Sequence, residues 1–327
     1  TPLPQQRLMR AFVTGADGFV GQWLLRNLLD DGSQVMGMIR LAKPALTTLS
    51  ADLALRVQWR PCDLTDADGM RAALREARPD AVFHLAAQSS VPASIADPLA
   101  TIETNVLGTA RLLQAVRDES LEATIVVVGS SDAYGAVAPA QLPLREDTVL
   151  SPRNPYAASK AAAEIAALQY ARSGWCRVIA TRSFNHTGPG QSPAFAVASF
   201  ARQFAALKDG RQSGALRVGN LTPRRDISDV RDVVDAYKRL AQRGTVGAVY
   251  NVCSGRDYSM REIVDELARQ SGVRVRIEED PALIRPVETP VLRGDPSRIA
   301  ADTGWRTTTP LAKTLADLLE YYEHAAA

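Results

Sequence analysis

Tyr156 and Lys160 stand four residues apart in "NPYAASKAAAE" (154–164). On a helix, residues at that spacing share a face. An ammonium beside a phenol favours the phenolate and lowers its pKa, so the tyrosine can give or take a proton near neutral pH. Pro155 suits a helix start, and Ala157, Ala158, Ala161, Ala162 and Ala163 leave the face uncrowded. One strand earlier, "VVVGSSDAYG" (126–135) closes a β-branched run with Ser130, Ser131 and Asp132. A buried strand ending this way delivers polar side chains to a sheet edge, where open α/β sheets bind ligands. Ser130 can donate to a developing oxyanion there. Asp132 can act as an acid or base, position a substrate, or cap a turn.

A second stretch, "VTGADGFVGQWLL" (13–25), sets Gly15, Gly18 and Gly21 between a strand and a helix. Gly15 permits a tight turn. Gly18 lets a pyrophosphate approach a helix N-terminus, and Gly21 lets the helix pack closely. The spacing is G-x-x-G-x-x-G, and its strand-to-helix setting points to a dinucleotide cofactor. The second strand ends in "MIRLAK", with Arg40 and Lys43 where an acid would bind the ribose 2′-hydroxyl of NAD. A cation there accommodates a 2′-phosphate, so NADP(H) is favoured, with NAD(H) as the alternative. Asp63 in "CDLTD" can accept from the adenine amino group or cap the next helix.

These residues need elements to hold them. Strands are expected at 8–14, 34–40, 56–62, 80–87, 123–130 and 177–182. Helices are expected at 18–32, 66–78, 101–117 and 156–172. Strand–helix alternation predicts an α/β fold, a doubly wound parallel Rossmann sheet. Beyond about residue 185 short strands ("LRVGN", "AVYNV", "VRVRIEE") alternate with helices and Pro/Gly-rich loops. The expected division is 1–184, mainly the NADP-binding domain, and 185–327, mainly a smaller α/β substrate lobe, with some chain crossing back to the first sheet.

The bulk numbers exclude several classes. Of 327 residues, 46 % are hydrophobic and 23 % charged, and the net charge is only +2. Neither nucleic acid nor an anionic membrane is indicated. Cys62, Cys176 and Cys253 read as buried reduced thiols. No cysteine or histidine spacing suggests a metal; His84, His186 and His324 are far apart. "TPLPQQR" reads as a loose tail, too short and polar for a signal peptide. No apolar run approaches the roughly 18 residues of a membrane span. A cytoplasmic protein is expected.

Together, Gly15, Gly18, Gly21, "HLAAQSSV" (84–91), "NVLGT" (105–109), Ser130, Tyr156 and Lys160 resemble the extended short-chain dehydrogenase/reductases that act on nucleotide sugars. The resemblance spans essentially the whole chain. It is strongest to the GDP-mannose 4,6-dehydratases and the GDP-4-keto-6-deoxy-D-mannose reductases, which form GDP-D-rhamnose. "RSFNHTGPGQ" (182–191), "GNLTPRRDISDVRDVV" (219–234), "YNVCSG" (250–255) and "IRPVETPVLRGDPSRI" (284–299) carry it.

The resemblance implies roles. Ser130 would bond the sugar C4 oxygen, Tyr156 would be the acid/base there, and Lys160 would hold the nicotinamide ribose. Leu85, Ala86 and Ala87 would line the cofactor channel, and Asn105 would steady the active-site helix. Asp17, Phe19, Val20, Leu64, Gln88 and Val128 join the cofactor contacts. Phe184, Asn185 and His186 would pass near the nicotinamide and the sugar diphosphate. Ser89, Asn185 and Val197 would touch substrate, and Arg225, Arg285 and Glu288 would grip the GDP, since arginine forks suit diphosphates. A homodimer is implied. Without the resemblance, Arg224 and Arg225 read as a solvated basic patch and His186 as a core or loop histidine.

Reductase and dehydratase share this hydride machinery. The dehydratases carry a glutamate two residues after the catalytic Ser/Thr; here that position is Asp132, one methylene shorter. A misplacement of about 1 Å can cost roughly a hundredfold in rate. They also carry His-Glu-Ser-Pro where this chain has "HTGP", Arg-Lys where it has Ala198 and Ser199, and an arginine-rich segment absent from "RLAKPALTTLS". Reduction is therefore expected. The alternatives are 4,6-dehydration and another nucleotide-sugar epimerase or reductase.

Overall fold

The computed structural model describes residues 8–211, 214–284 and 289–324. The "TPLPQQR" tail, Arg285 and Glu288 lie outside the described residues. The chain sorts into two compact units. One holds the residues up to Ser130, Asn154–Thr181 and Val234–Tyr250; the other holds Ser131–Arg153, Arg182–Val233 and the residues from Asn251 onward.

In the first unit β1 (Arg10–Thr14) is an apolar run buried almost throughout. It feeds α1 (Phe19–Asp30), whose stripe of Gly21, Gln22, Leu24, Leu25, Leu28 and Leu29 is buried. Apolar side chains at helical spacing are what a sheet-facing helix needs. β2 (Gln34–Ile39), the short α2 (Ala51–Ala54), β3 (Val57–Pro61), α3 (Ala67–Ala77) and β4 (Ala81–His84) follow. Next come α4 (Val91–Ala96), α5 (Pro98–Ile102), a π-helical turn at Glu103–Leu107, α6 (Gly108–Asp118), β5 (Thr124–Ser130), α7 (Pro155–Arg172) and β6 (Arg177–Ser183). The helix expected at 101–117 is thus interrupted by the wide turn. Such turns frequently mark functional sites.

The seven-stranded sheet has the order β10-β6-β5-β4-β1-β2-β3, with β10 at Val249–Val252. The β3–β2, β2–β1, β1–β4 and β4–β5 pairs all run parallel. Their C-terminal ends therefore share one edge, and the strand order reverses between β1 and β4, where such sheets bind ligands. Phe12, Met36, Val82, Leu112, Leu113, Ile125 and Val178 lie in the core beside it.

The second unit contains β7 (Asn185–Thr187), α8 (Ala196–Lys208), β8 (Ala215–Val218), β9 (Arg224–Asp229), β11 (Asp257–Ser259), α10 (Met260–Ser271), β12 (Arg276–Glu279), β13 (Val291–Leu292), α11 (Ser297–Thr303) and α12 (Leu311–His324). Between β9 and β10 runs α9 (Val230–Arg243), most of which belongs to the first unit. β9 pairs antiparallel with β11 and parallel with β7 and β13; β12 pairs parallel with β8. Phe200, Phe204, Leu216, Ile263, Leu267, Leu315 and Leu318 form the core of this unit.

Two stretches group differently from their order along the chain. "AVYNV" (248–252) supplies an edge strand of the large sheet rather than a strand of the smaller lobe. Residues 131–153 group with the second unit although they precede residue 184. A strand's apolar run reports that it is buried, not which sheet it joins.

Candidate active site

The glycine loop leaves β1 at Thr14. Gly15 adopts φ +67°, and both its N–H and that of Ala16 donate to the Met38 carbonyl, at 3.1 and 3.3 Å. A Cβ on Gly15 would lie 2.9 Å from the Ala86 nitrogen. On Gly21 it would lie 2.3 Å from the Gly15 oxygen and 2.7 Å from the Ala16 oxygen. Backbone meets backbone here, so no side chain fits. Gly18 caps α1 in extended conformation with no side-chain acceptor, and the first turn carries no acid. No acid of the first turn competes for the positive end of α1, and it suits an anion. This cradle fits the pyrophosphate of a dinucleotide, flanked by Asp17, Phe19 and Val20.

Arg40 emerges exposed at the end of β2. Asp63 follows β3. Its carboxylate accepts from the N–H and hydroxyl of Thr65, at 2.9 and 2.8 Å. These bonds, backbone first, and then the charges of Arg40 and Arg111, hold it below the usual carboxylate range. It does not cap the next helix: Asp66 does, accepting from Gly69 at 2.9 Å. That leaves Asp63 as the candidate at the adenosine end, with buried Leu64 beside it in the chain.

β4 ends in His84, which is buried between two threonines. Thr109 Oγ1 donates to the Asn105 carbonyl at 2.6 Å, so it must accept from His84 Nε2 at 2.9 Å. Nδ1 is then the acceptor, taking the hydroxyl proton of Thr14 at 2.8 Å, while Thr14 Oγ1 accepts from Ala86 N–H at 3.1 Å. One tautomer satisfies every partner. Burial first, then the nearby Lys160 charge, pushes this imidazole down to about 3, so it is neutral. The chain Leu85, Ala86, Ala87 and Gln88 leaves β4 partly exposed, and Ser89 is exposed.

Asn105 lies in the π-helical turn. Its Oδ1 accepts from Gln88 N–H at 2.7 Å, and its Nδ2 donates to the Gln88 carbonyl at 3.0 Å and to Ser159 Oγ at 2.9 Å. Ser159 in turn donates to the Tyr156 carbonyl at 2.8 Å. The chain after β4 is thereby bonded to α7, the helix of Tyr156 and Lys160. Asn154 caps α7 by accepting from Ala157 at 2.8 Å, and Tyr156 N–H donates to Ser94 Oγ at 3.1 Å. Lys160 Nζ donates to the Val128 carbonyl at 2.8 Å, two residues before Ser130 ends β5. Burial pushes Lys160 down to about 8. Ser130, Tyr156 and Lys160 thus belong to the same sheet edge as the glycine loop.

In the second unit Asp132 lies in a tight turn, Ser131–Tyr134. Tyr134 anchors that turn. Its hydroxyl donates to Asn251 Oδ1 at 2.7 Å, and the Arg182 guanidinium sits 4.7 Å over its ring. Burial pushes this phenol up to about 12, so Tyr134 keeps its proton and serves as a prop. Asn185 and His186 lie on β7, paired with Ile227 and Ser228 of β9. His186 Nδ1 is 3.0 Å from the Phe184 carbonyl and must donate to it. Burial holds this ring below its ordinary value. Val197 is buried on α8. Arg224 is not a solvated patch: it is ion-paired with Asp257 and Glu262. Arg225 Nη1 donates to the carbonyls of Arg224 and Thr289, at 2.9 and 2.7 Å.

Residues 12–318 match the family described as GDP-mannose 4,6 dehydratase. The chain belongs to that family. Within it, the chain is 40 % identical to the GDP-6-deoxy-D-mannose reductase of Pseudomonas aeruginosa, over 96 % of this chain and 97 % of the relative. It is 34 % identical to a UDP-glucose 4-epimerase of Mycolicibacterium smegmatis, over 97 % and 99 %. The structure of RMD from Pseudomonas aeruginosa complexed with NADPH superposes with a TM-score of 0.84, at 39 % identity, over 97 % of this chain and 99 % of that one. The family resemblance and the parallel α/β fold read from the sequence are both borne out.

Sequence reasoning missed the supports: Thr14, Thr109, Ser94, Ser159 and Gln22. The only signal was polar residues at positions whose periodicity demands burial, as with Gln22 between Gly21 and Leu24 in the buried stripe of α1.

Proposed function

We propose that this chain reduces the C4 ketone of GDP-4-keto-6-deoxy-D-mannose to GDP-D-rhamnose. The observation that carries this reading is the end-to-end likeness to a GDP-6-deoxy-D-mannose reductase, with Ser130, Tyr156 and Lys160 all present at the sheet edge. Bound NADPH would supply the hydride for C4; the neighbouring RMD structure contains NADPH, and Arg40 with Lys43 suits a 2′-phosphate. Ser130 donates a hydrogen bond to the C4 oxygen as it gains charge. Tyr156 gives that oxygen its proton. Lys160, charged at neutral pH, holds the nicotinamide ribose and makes the Tyr156 proton easier to release.

Asp63 receives the adenine amino group, while Leu85, Ala86, Ala87, Gln88 and Val128 line the cofactor channel. Ser89, Asn185, Val197 and Arg225 hold the GDP-sugar, with Arg285 and Glu288, which lie outside the described residues. Phe184 and His186 border the nicotinamide.

A second reading, 4,6-dehydration, is favoured by one observation, the carboxylate of Asp132 in a family named for that reaction. Its shorter reach argues against it as the C5 base. The test is a pair of incubations. GDP-4-keto-6-deoxymannose with NADPH should oxidise cofactor and yield GDP-rhamnose. GDP-mannose with catalytic NADP+ should remain unchanged; a 4-keto product there would establish the dehydratase.

The exposed side chains of Ile95, Leu99, Ile102, Leu107 and Ile165, on α4, α5, the π-helical turn and α7, favour a homodimer through those helices. Three buried free thiols suit a reducing, cytoplasmic setting. Among the described residues no helix is long and apolar enough to cross a membrane.

A further inference from the structure

Gln22 is 1 % exposed near the start of the buried stripe of α1, yet its amide is fully used. Oε1 accepts from the backbone N–H groups of Thr47, Thr48 and Leu49 at 2.8, 2.9 and 3.1 Å. Nε2 donates to the carbonyls of Asp17 and Ala45 at 2.7 and 3.1 Å. Three backbone donors converge on Oε1, with the Thr48 hydroxyl a fourth at 3.5 Å, and two acceptors face Nε2, so chemistry fixes which way the amide points. Its partners fall in two stretches. Asp17 lies inside the glycine loop. Ala45, Thr47, Thr48 and Leu49 lie in the segment that leaves β2 with Arg40, passes Lys43, and ends where Ser50 caps α2. One buried side chain therefore bonds the phosphate-binding turn to the loop that carries both cations. Arg40 is itself close enough to Asp63 for its charge to lower that carboxylate, which puts it at the adenosine end of the site.

We propose that Gln22 is a positioning residue for cofactor choice: it holds the Arg40–Lys43 stretch in register with the glycine loop, so that both cations are set in advance for an adenosine 2′-phosphate. This rests on the NADP reading above. A loop already ordered does not have to be ordered at the expense of binding. NAD has no 2′-phosphate and gains nothing from that order. The glycine loop, which both cofactors use, keeps its own bonds from Gly15 and Ala16 to the Met38 carbonyl, so loosening the clamp should weaken NADP+ more than NAD+.

The test measures dissociation constants of NADP+ and NAD+ for the wild-type protein, Gln22→Asn, Gln22→Ala and Arg40→Ala. Asparagine keeps the amide but shortens its reach, so it probes the clamp if the alanine variant folds poorly. Both Gln22 variants should lose about tenfold or more in NADP+ affinity and under about threefold in NAD+ affinity, as expected when only loop ordering is lost. Trypsin should also cut faster after Arg40 in those variants, since the Lys43–Pro44 bond resists it. Equal weakening of both cofactors, or no change, overturns the proposal. If wild type prefers NADP+ and only Arg40→Ala removes that preference, the Gln22 inference falls and the NADP reading stands. If wild type shows no preference, the NADP reading falls and the inference with it.

Discussion

A lysine ammonium taken out of water gives up its proton more readily than one in solution. Lys160 does so at about 8, against 10.5 in the open chain. Two consequences have opposite signs. Between those values the unfolded chain binds the extra proton, so this group's contribution to stability rises with pH across the window. Below about pH 8 the folded protein carries the full cost of the buried charge. The same loss of charge removes the ammonium that tunes Tyr156. We therefore expect kcat/KM for the keto sugar to fall as pH rises through about 8, read from a pH–rate profile; a flat profile to pH 10 would contradict the role given to Lys160. Tyr156→Phe removes the proton donor alone. Turnover should fall by about a hundredfold or more, while the dissociation constant for NADP+ stays within about threefold in a direct titration. These two residues were legible in the sequence because their spacing is helical and local. Their props were not, since the Asn105–Ser159 and His84–Thr109 bonds join residues far apart in the chain.

At the scale of elements, the turn from β1 to α1 is a tightly constrained piece of backbone. The Gly21 Cα faces the Gly15 and Ala16 carbonyls so closely that Gly21→Ala must push α1 away from the turn. The expected cost is about 1–3 kcal/mol of stability, and NADP+ affinity should drop by about tenfold or more because α1 no longer aims its N-terminus at the cradle. Thermal unfolding and a cofactor titration on the same preparation check both. Alternation of apolar runs and amphipathic stretches was enough to locate β1 to β6 and the longer helices between them, but not the short α2 and α4. The π-helical turn was not foreseeable from it. A one-residue widening has no compositional mark of its own; Asn105 inside it bonds Gln88 and Ser159. Asp63 read as a possible cap of α3 because it is an aspartate just before that helix; the hydrogen bonds assign the cap to Asp66 and leave Asp63 on Thr65.

For the whole molecule, the chain passes between its two units several times, with Ser131–Arg153 and Val234–Tyr250 each grouped away from their neighbours in sequence. A linear pattern shows elements and their burial, and some crossing back was expected, but not which strand makes it, which is why "AVYNV" read as part of the smaller lobe. The proposed dimer belongs to this scale as well. Leu99 is 78 % and Ile165 61 % exposed, and a charge on each should prevent burial of that face. Sedimentation should give a dimer for wild type and a monomer for the Leu99→Glu, Ile165→Glu double variant; a monomeric wild type would contradict the interface. The central claim is hydride delivery to C4 of a GDP-4-keto sugar, and isotope transfer tests it most directly. The protein is incubated with GDP-4-keto-6-deoxymannose and NADPH deuterated at the transferring C4 position of the nicotinamide. The account predicts one deuterium at C4 of the sugar for each cofactor oxidised. No cofactor oxidation, or deuterium at C6 instead of C4, would contradict it.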